Sequence, residues 1–244
     1  METSTRSSRS AAITAELRDE ILRGQYRQGE RLPSERDLAE RFGVHRGAVR
    51  EALKRLEQLG IATVQPGGAR VAPIEEASLD VVEHLLDLED PPDPRMVDQV
   101  LEVLSGLFSL AARLCAERAS DTQRSELLDL LERAKADLPR GERVALMHEI
   151  GDLCVEASNN LVLRLVRGGV KTNFIDRVDQ NRPHLLEPLR PDPAHFEKFA
   201  DAIHQRDGAA AADAVLELTK EIRRHAMEAI ETERARPSLE RMSS

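Results

Sequence analysis

Three basic side chains at four-residue intervals, Arg46, Arg50 and Lys54, are the first group whose type and spacing suggest chemistry. At about 100° per residue they line one strip of a helix, and Val49, Leu53 and Leu56 line a second strip roughly 120° away. A helix packed on one side and basic on an adjacent one suits a DNA major groove, where an Arg fork matches guanine O6 and N7. An ordinary amphipathic helix with a solvated basic face has the same pattern, so the flanks must decide. Other constellations are sparser. His148 and Asp152, four apart, could hold a divalent ion from one helical face, although a His on a mixed helix is more often hydrogen-bonded or solvated. Ser105, Ser109 and Ser158 have no nearby His-Asp arrangement, and the chain contains no GxSxG, HExxH or strand-following phosphate loop. Catalysis is therefore not expected, nor is a cofactor or a bound metal.

The elements around the basic strip make the helix a reader. Leu32 to Leu59 reads as two short helices with a tight turn between them. Ser34 is placed to cap the first, with Asp37 three residues on, and Leu38, Ala39 and Phe42 face inward before Gly43 turns the chain. Val44 plugs the corner, and the second helix runs from about Arg46 to Leu59. Gly60, the β-prone run Ile61-Ala-Thr-Val64, the turn Pro66-Gly67-Gly68 and strand-like Ala69-Arg70-Val71 complete a hairpin. A hairpin behind a recognition helix is a winged helix-turn-helix. Upstream, Ile13, Leu17, Ile21 and Leu22 share a side of a helix over about Ser10–Arg23. Arg41 and Arg55 are expected to face water or pair with neighbouring Glu residues.

The segment Ile13–Ala72, ITAELRDEILRGQYRQGERLPSERDLAERFGVHRGAVREALKRLEQLGIATVQPGGARVA, resembles the GntR family of bacterial transcription regulators over about a quarter of the chain. The resemblance implies DNA contacts at Arg36, Arg46 and Arg50, which in the family approach guanine edges and phosphates. His45 and Gly47 flank Arg46 where the family more often has Ser or Thr, which implies a different local base preference. Gly67 at the wing tip takes the place of a close backbone or minor-groove contact, with Pro66 where some members carry a polar reader.

Charge follows the same division. Residues 1–72 carry 13 Lys and Arg against 10 Asp and Glu, while the remainder carries 22 against 34. A mildly basic head on an acidic body permits local phosphate contact and disfavours indiscriminate DNA coating. That argues against the other DNA-binding class, a non-specific architectural protein. Cys115 and Cys154 lie in helical patterns without CxxC spacing, as buried thiols of a reducing cytoplasm do. No apolar run approaching the ~20 residues of a membrane span is evident, and METSTRSSRS lacks a secretory apolar core. A cytoplasmic protein without a membrane partner is expected.

The expected organisation is a disordered 1–9, the winged helix-turn-helix over 10–72, a linker at 73–77, a helical domain over 78–234 and a tail over 235–244. The class is mainly α: after the wing, segments 79–88, 95–119, 120–138, 142–157, 160–179, 193–206 and 209–234 all carry helical patterns. LEVLSGLFSLAARLCAERAS, EASNN at 156–160 and AIHQRDGAAAADAV make this body resemble the C-terminal domain of the FadR subfamily, an antiparallel bundle of six to seven helices that usually forms a homodimer. Asn159 replaces the Gly usual in the second of these segments. Many relatives bind a metal there, but the four ligand places fall on Met147, Gly151, Phe196 and Leu218, none a ligand type. Leu104 stands where those relatives carry a carboxylate-binding Arg, and Phe108 near a usual Glu.

Several polar places have thus become apolar together. A bare carboxylate buried without a charged partner costs several kcal/mol, whereas an acyl chain gains about 0.8 kcal/mol per buried CH₂. The resemblance and these six positions imply a repressor of a palindromic operator whose effector is a long-chain fatty acid or its coenzyme A thioester. The alternative is a metal-dependent regulator that responds to a small organic acid.

Overall fold

Capping chemistry starts and stops the helices of the N-terminal part. Helix α1 spans Glu2–Leu22, α2 Glu35–Phe42 and α3 Arg46–Gln58. The Ser34 hydroxyl oxygen accepts the Asp37 amide at 3.3 Å and its proton goes to Asp37 Oδ2 at 2.7 Å. That bond holds the Asp37 carboxyl below its ordinary range. Gly43 ends α2 in the left-handed region at φ 62°, which a side chain disfavours. Strands β1 (Ala62–Gln65) and β2 (Gly68–Val71) pair antiparallel with Ala62 opposite Val71 and Gln65 opposite Gly68, so Pro66-Gly67 is a two-residue turn. Arg31 adds one bridge to Arg70 on the outer edge of β2.

The computed structural model describes residues 2–170 and 191–235, and the chain divides into one compact unit ending at Asp90 and another starting at Pro91. In the first, Ile13, Leu17 and Ile21 of α1 pack with Leu38, Val49, Leu53, Leu56, Ile61 and Val71. Three features depart from expectation. Helix α1 begins at Glu2 rather than near Ser10, because nothing in residues 2–9 breaks a helix already nucleated downstream. A short helix α4, Val81–Leu86, belongs to this unit: Val81 and Leu85 pack on its core, and the Ser78 amide donates to Leu59 O at 2.9 Å. The apolar face of 78–88 thus completes the winged helix instead of opening the bundle, and the unit boundary lies at 90/91 rather than at 77/78.

Six helices make up the second unit among the described residues: α5 (Pro94–Arg118), α6 (Asp121–Ala134), α7 (Arg140–Ala157), α8 (Leu161–Val170), α9 (Pro193–Gln205) and α10 (Gly208–Ala235). The expected continuation of α8 to 179, the Pro-containing stretch 183–190 and the tail from 236 lie outside the described residues. Helices α5 and α10 bring Ala111, Ala112, Ala211 and Ala214 together, small side chains that allow close approach. Arg223 clamps the pair with two bonds to Asp98, at 2.5 and 2.6 Å. By length and apolar composition α5 alone among the described helices could cross a membrane, yet Ala111, Ala112, Cys115 and Ala116 on it are buried in the bundle core. Between α7 and α8, Asn159 takes φ 48°, a left-handed conformation that Gly adopts freely and that Asn tolerates better than most residues. The Asn160 side chain then caps α8 by accepting the Leu163 amide.

Candidate functional site

Helix α3 presents its cations because the opposite strip is anchored. Ala48, Val49, Ala52, Leu53 and Leu56 are buried, leaving Arg46, Arg50 and Lys54 exposed. Arg50 Nε lies 2.7 Å from Glu35 Oε2, and Lys54 Nζ 3.6 Å from Glu51 Oε1. The Glu35–Arg50 pair brings the first turn of α2 to α3, and Arg36, next to Glu35, is exposed with Asp37 at 3.5 Å. His45 Nδ1 accepts the Ala48 amide at 3.1 Å, so this ring is the N-cap of α3 as well as a neighbour of Arg46. Gly47 follows in the first turn of α3, half-buried. Gly67 takes φ 104° at the wing tip.

Of two further arginines, Arg41 pairs with Glu residues as expected and Arg31 adds to the set. Arg41 is tied to Glu16 and Glu20, which hold α2 against α1 and push its guanidinium pKa up. Arg31 was not singled out by the pattern, yet its guanidinium lies against the wing turn, where a Cβ on Gly68 would come within 3.1 Å of Nε. A lone Arg before Leu-Pro carries no periodic signal; only strand pairing places it there.

Among the cavities bounded by described residues, the six apolar effector positions do not share one. Leu104 and Phe108 line a small cavity of about 10 Å³ with Leu107, Val155, Leu163, Val166 and Arg167. Gly151 adjoins it: a Cβ there would lie 3.4 Å from Phe108 Cε1 and 3.8 Å from Arg167 Nη2. Met147 and Phe196 line a separate cavity of about 240 Å³ with Lys135, Leu138, Arg143 and Leu146. Leu218 is buried in the core and belongs to neither lining.

Arg167 is the residue that sequence reasoning missed. Its signal was position: four residues after buried Leu163, it falls on the inward face of α8, whereas Arg164 falls outside.

Asp152, weighed above as a metal partner of His148, lies 2.9 Å from Arg167 Nη2. No group of three or more His, Cys, Asp or Glu suited to a metal occurs among the described residues, and Met147, Gly151, Phe196 and Leu218 do not fit an ion. Ser105, Ser109 and Ser158 donate to the carbonyls of Leu101, Ala212 and Val155, at 2.7, 3.0 and 2.6 Å. Cys115 and Cys154 are buried and share a hydrogen bond that lowers the Cys115 thiol and, with burial, raises that of Cys154.

Residues 9–71 match the family described as bacterial regulatory proteins, gntR family, and residues 99–221 match the FCD domain. The HTH-type transcriptional regulator Mce2R of Mycobacterium tuberculosis is 31% identical over 218 residues, covering 88% of this chain and 90% of that protein. A fatty acid metabolism regulator protein of Erwinia tasmaniensis is 28% identical over 200 residues, covering 81% and 82%. Among solved structures, Lar, which controls expression of the Listeria monocytogenes agr system, aligns at TM-score 0.51 and 16% identity over 90% of this chain and 96% of that one, a likeness of fold. With both domains matched in order and a relative above 30% identity along most of its length, this chain belongs to the GntR family and is a transcriptional regulator with an FCD ligand-binding domain.

Proposed function

We propose that this regulator is a dimeric repressor whose helical unit binds a fatty acid or its coenzyme A thioester and thereby loses operator affinity. Arg36, Arg46 and Arg50 read the major groove and His45 and Gly47 set the neighbouring base preference. Gly67 with Arg31 approaches the backbone beside the wing. The winged unit, residues 10–72 with α4 packed beneath, carries the DNA contacts, and the FCD unit carries the effector and the dimer contact. Support for dimerisation comes from exposed Val103 and Leu110 on α5 and Leu161, Val162 and Leu165 on α8, apolar surface that a monomer would leave in water. Two copies would read a palindromic operator in the cytoplasm, one half-site each.

The observation that carries the effector reading is the lining around Leu104 and Phe108, apolar but for Arg167, with these two residues at positions where metal-using relatives carry charge. Relatives named fatty acid metabolism regulators support the same class of ligand. Ligand pockets hold about 300–1,000 Å³; the cavity here is about 10 Å³, so an acyl chain enters only if α5, α7 and α8 part. A ligand that binds only the opened packing shifts the population toward it, which is how binding would reach the DNA.

Selection of full-length protein on a random DNA pool should recover an inverted repeat, and oleate or palmitoyl-coenzyme A should weaken binding to it. Release by a small organic acid in the presence of zinc or nickel, with no response to acyl ligands, overturns the effector reading and leaves the DNA reading in place.

A further inference from the structure

Arg167 is a buried cation with donors to spare. Its side chain is 7% exposed, its Nη2 meets Asp152 Oδ1 at 2.9 Å, and its guanidinium carbon sits 5.5 Å from the centre of the Phe108 ring. Its Nε and Nη1 are buried and have no hydrogen-bond partner. A guanidinium carries five N–H donors, and leaving charged donors buried and unpaired is among the costlier arrangements a core can hold. Such a group persists where a ligand or water completes it. Among the described residues the wall around it is otherwise Leu104, Leu107, Phe108, Val155, Leu163 and Val166, with no second cation. The void of about 10 Å³ admits roughly one water.

From this arrangement we infer that Arg167 is the seat of the effector's carboxylate, and that the ligand is a free aliphatic monocarboxylate rather than its coenzyme A thioester. The inference rests on the reading of the FCD unit as an acyl-chain sensor and adds which end of the ligand is held and by what. A carboxylate has only acceptors and satisfies the open Nε–H and Nη1–H donors, displacing the water-sized void. Asp152, 42% exposed, stands partly in water and neutralises the cation while the site is empty of ligand. The six apolar neighbours suit a methylene chain and offer nothing to a second charge, so dicarboxylates, hydroxy acids and phosphates are disfavoured. A thioester carbonyl brings no anion to Arg167, and the phosphates of coenzyme A lie a long pantetheine arm away. The absence of a side chain at Gly151 lets Phe108 and Arg167 approach each other from α5 and α8.

Calorimetry on the full-length protein with decanoate, decanol and decanoyl-coenzyme A tests this. Decanoate should bind roughly tenfold or more tighter than decanol, the difference being a charge-assisted hydrogen bond. Arg167→Met should bring decanoate down to the level of decanol without changing decanol binding, and Arg167→Lys should restore part of the preference. Should Arg167→Met fail to fold, the three-ligand comparison on the wild type decides alone. Thioester bound more tightly than acid, or decanoate and decanol bound alike, overturns the carboxylate seat and leaves the acyl-chain reading standing. No binding of any of the three overturns the acyl-chain reading itself. Decanoate binding unchanged in a folded Arg167→Met protein shows that water completes Arg167 and that the acid is held elsewhere.

Discussion

Glu35 occupies Arg50 in the absence of DNA, and that pair sets a measurable competition. Arg50 Nε is 2.7 Å from Glu35 Oε2, with the two side chains 64% and 34% exposed. An ion pair this open to solvent is worth about 0.2–1 kcal/mol, far below the 1–3 kcal/mol that a good Arg–guanine fork contributes. On the proposed reading DNA takes Arg50 from Glu35, at a cost that Glu35→Gln removes. The variant should bind its selected DNA more tightly, by up to about fivefold, and the gain should fall as salt rises. Arg50→Ala should weaken specific binding by roughly 5- to 150-fold. In the Arg50→Ala background, Glu35→Gln should retain only the smaller gain from removing a negative charge beside phosphates. Fluorescence anisotropy on a labelled duplex at several salt concentrations measures all four corners of this cycle. If Glu35→Gln binds the selected site more weakly than wild type, at an unchanged melting temperature, Glu35 positions Arg50 instead of competing for it and the reasoning fails.

Two further outcomes concern the scaffold. Gly60 takes φ 72°, and a Cβ there would lie 2.6 Å from Glu76 O, so Gly60→Ala should cost the winged unit about 2 kcal/mol or more in denaturant unfolding; an unchanged midpoint would show that residues 73–77 do not pack where described. Asp98, hydrogen-bonded to Arg223, has its carboxyl held below the ordinary range. The stability this contributes is fully present above about pH 4–5, the ordinary carboxylate region, and is lost as pH falls through the lower folded value. The melting-temperature gap between wild type and Asp98→Asn should accordingly be constant near neutrality and close in acid, and a gap that widens in acid refutes the assignment.

The DNA-binding unit was legible because its signals are local. Ser34, Gly43 and the Val49-Leu53-Leu56 stripe act through hydrogen bonds and turns only a few residues long, and each is found where its type predicts. What escaped is what depends on the third dimension. Residues 78–88 look like one more amphipathic helix, and their sequence does not say whether Val81 and Leu85 serve the wing or the bundle. Arg31 gains its place only because an edge bridge to Arg70 lays it along the hairpin. Asn159 is the intermediate case. The departure from Gly is visible in the sequence, and its harmlessness follows once the backbone is seen at φ 48°, where Asn is accepted.

The helical unit shows why substitutions read along a line mislead about cavities. Leu104, Phe108, Met147, Phe196 and Leu218 share a loss of polarity, which is a statement about transfer free energy and not about adjacency. Helix packing sends Leu104 and Phe108 to one void, Met147 and Phe196 to another, and Leu218 into the core. The same reading weighed a buried carboxylate without a charged partner, and charged residues within a helix ordinarily face water. Arg167 breaks that rule at a position its spacing from Leu163 already marks as inward, and it is held there by Asp152 and Phe108. A long flexible side chain that gives up solvent on an apolar face, with only one of its nitrogens paired, departs from the packing logic that explains its neighbours. Departures of that kind mark where a fold has kept a group for something other than stability. In this bundle the group is a cation beside an apolar void, the observation on which the proposed carboxylate seat stands.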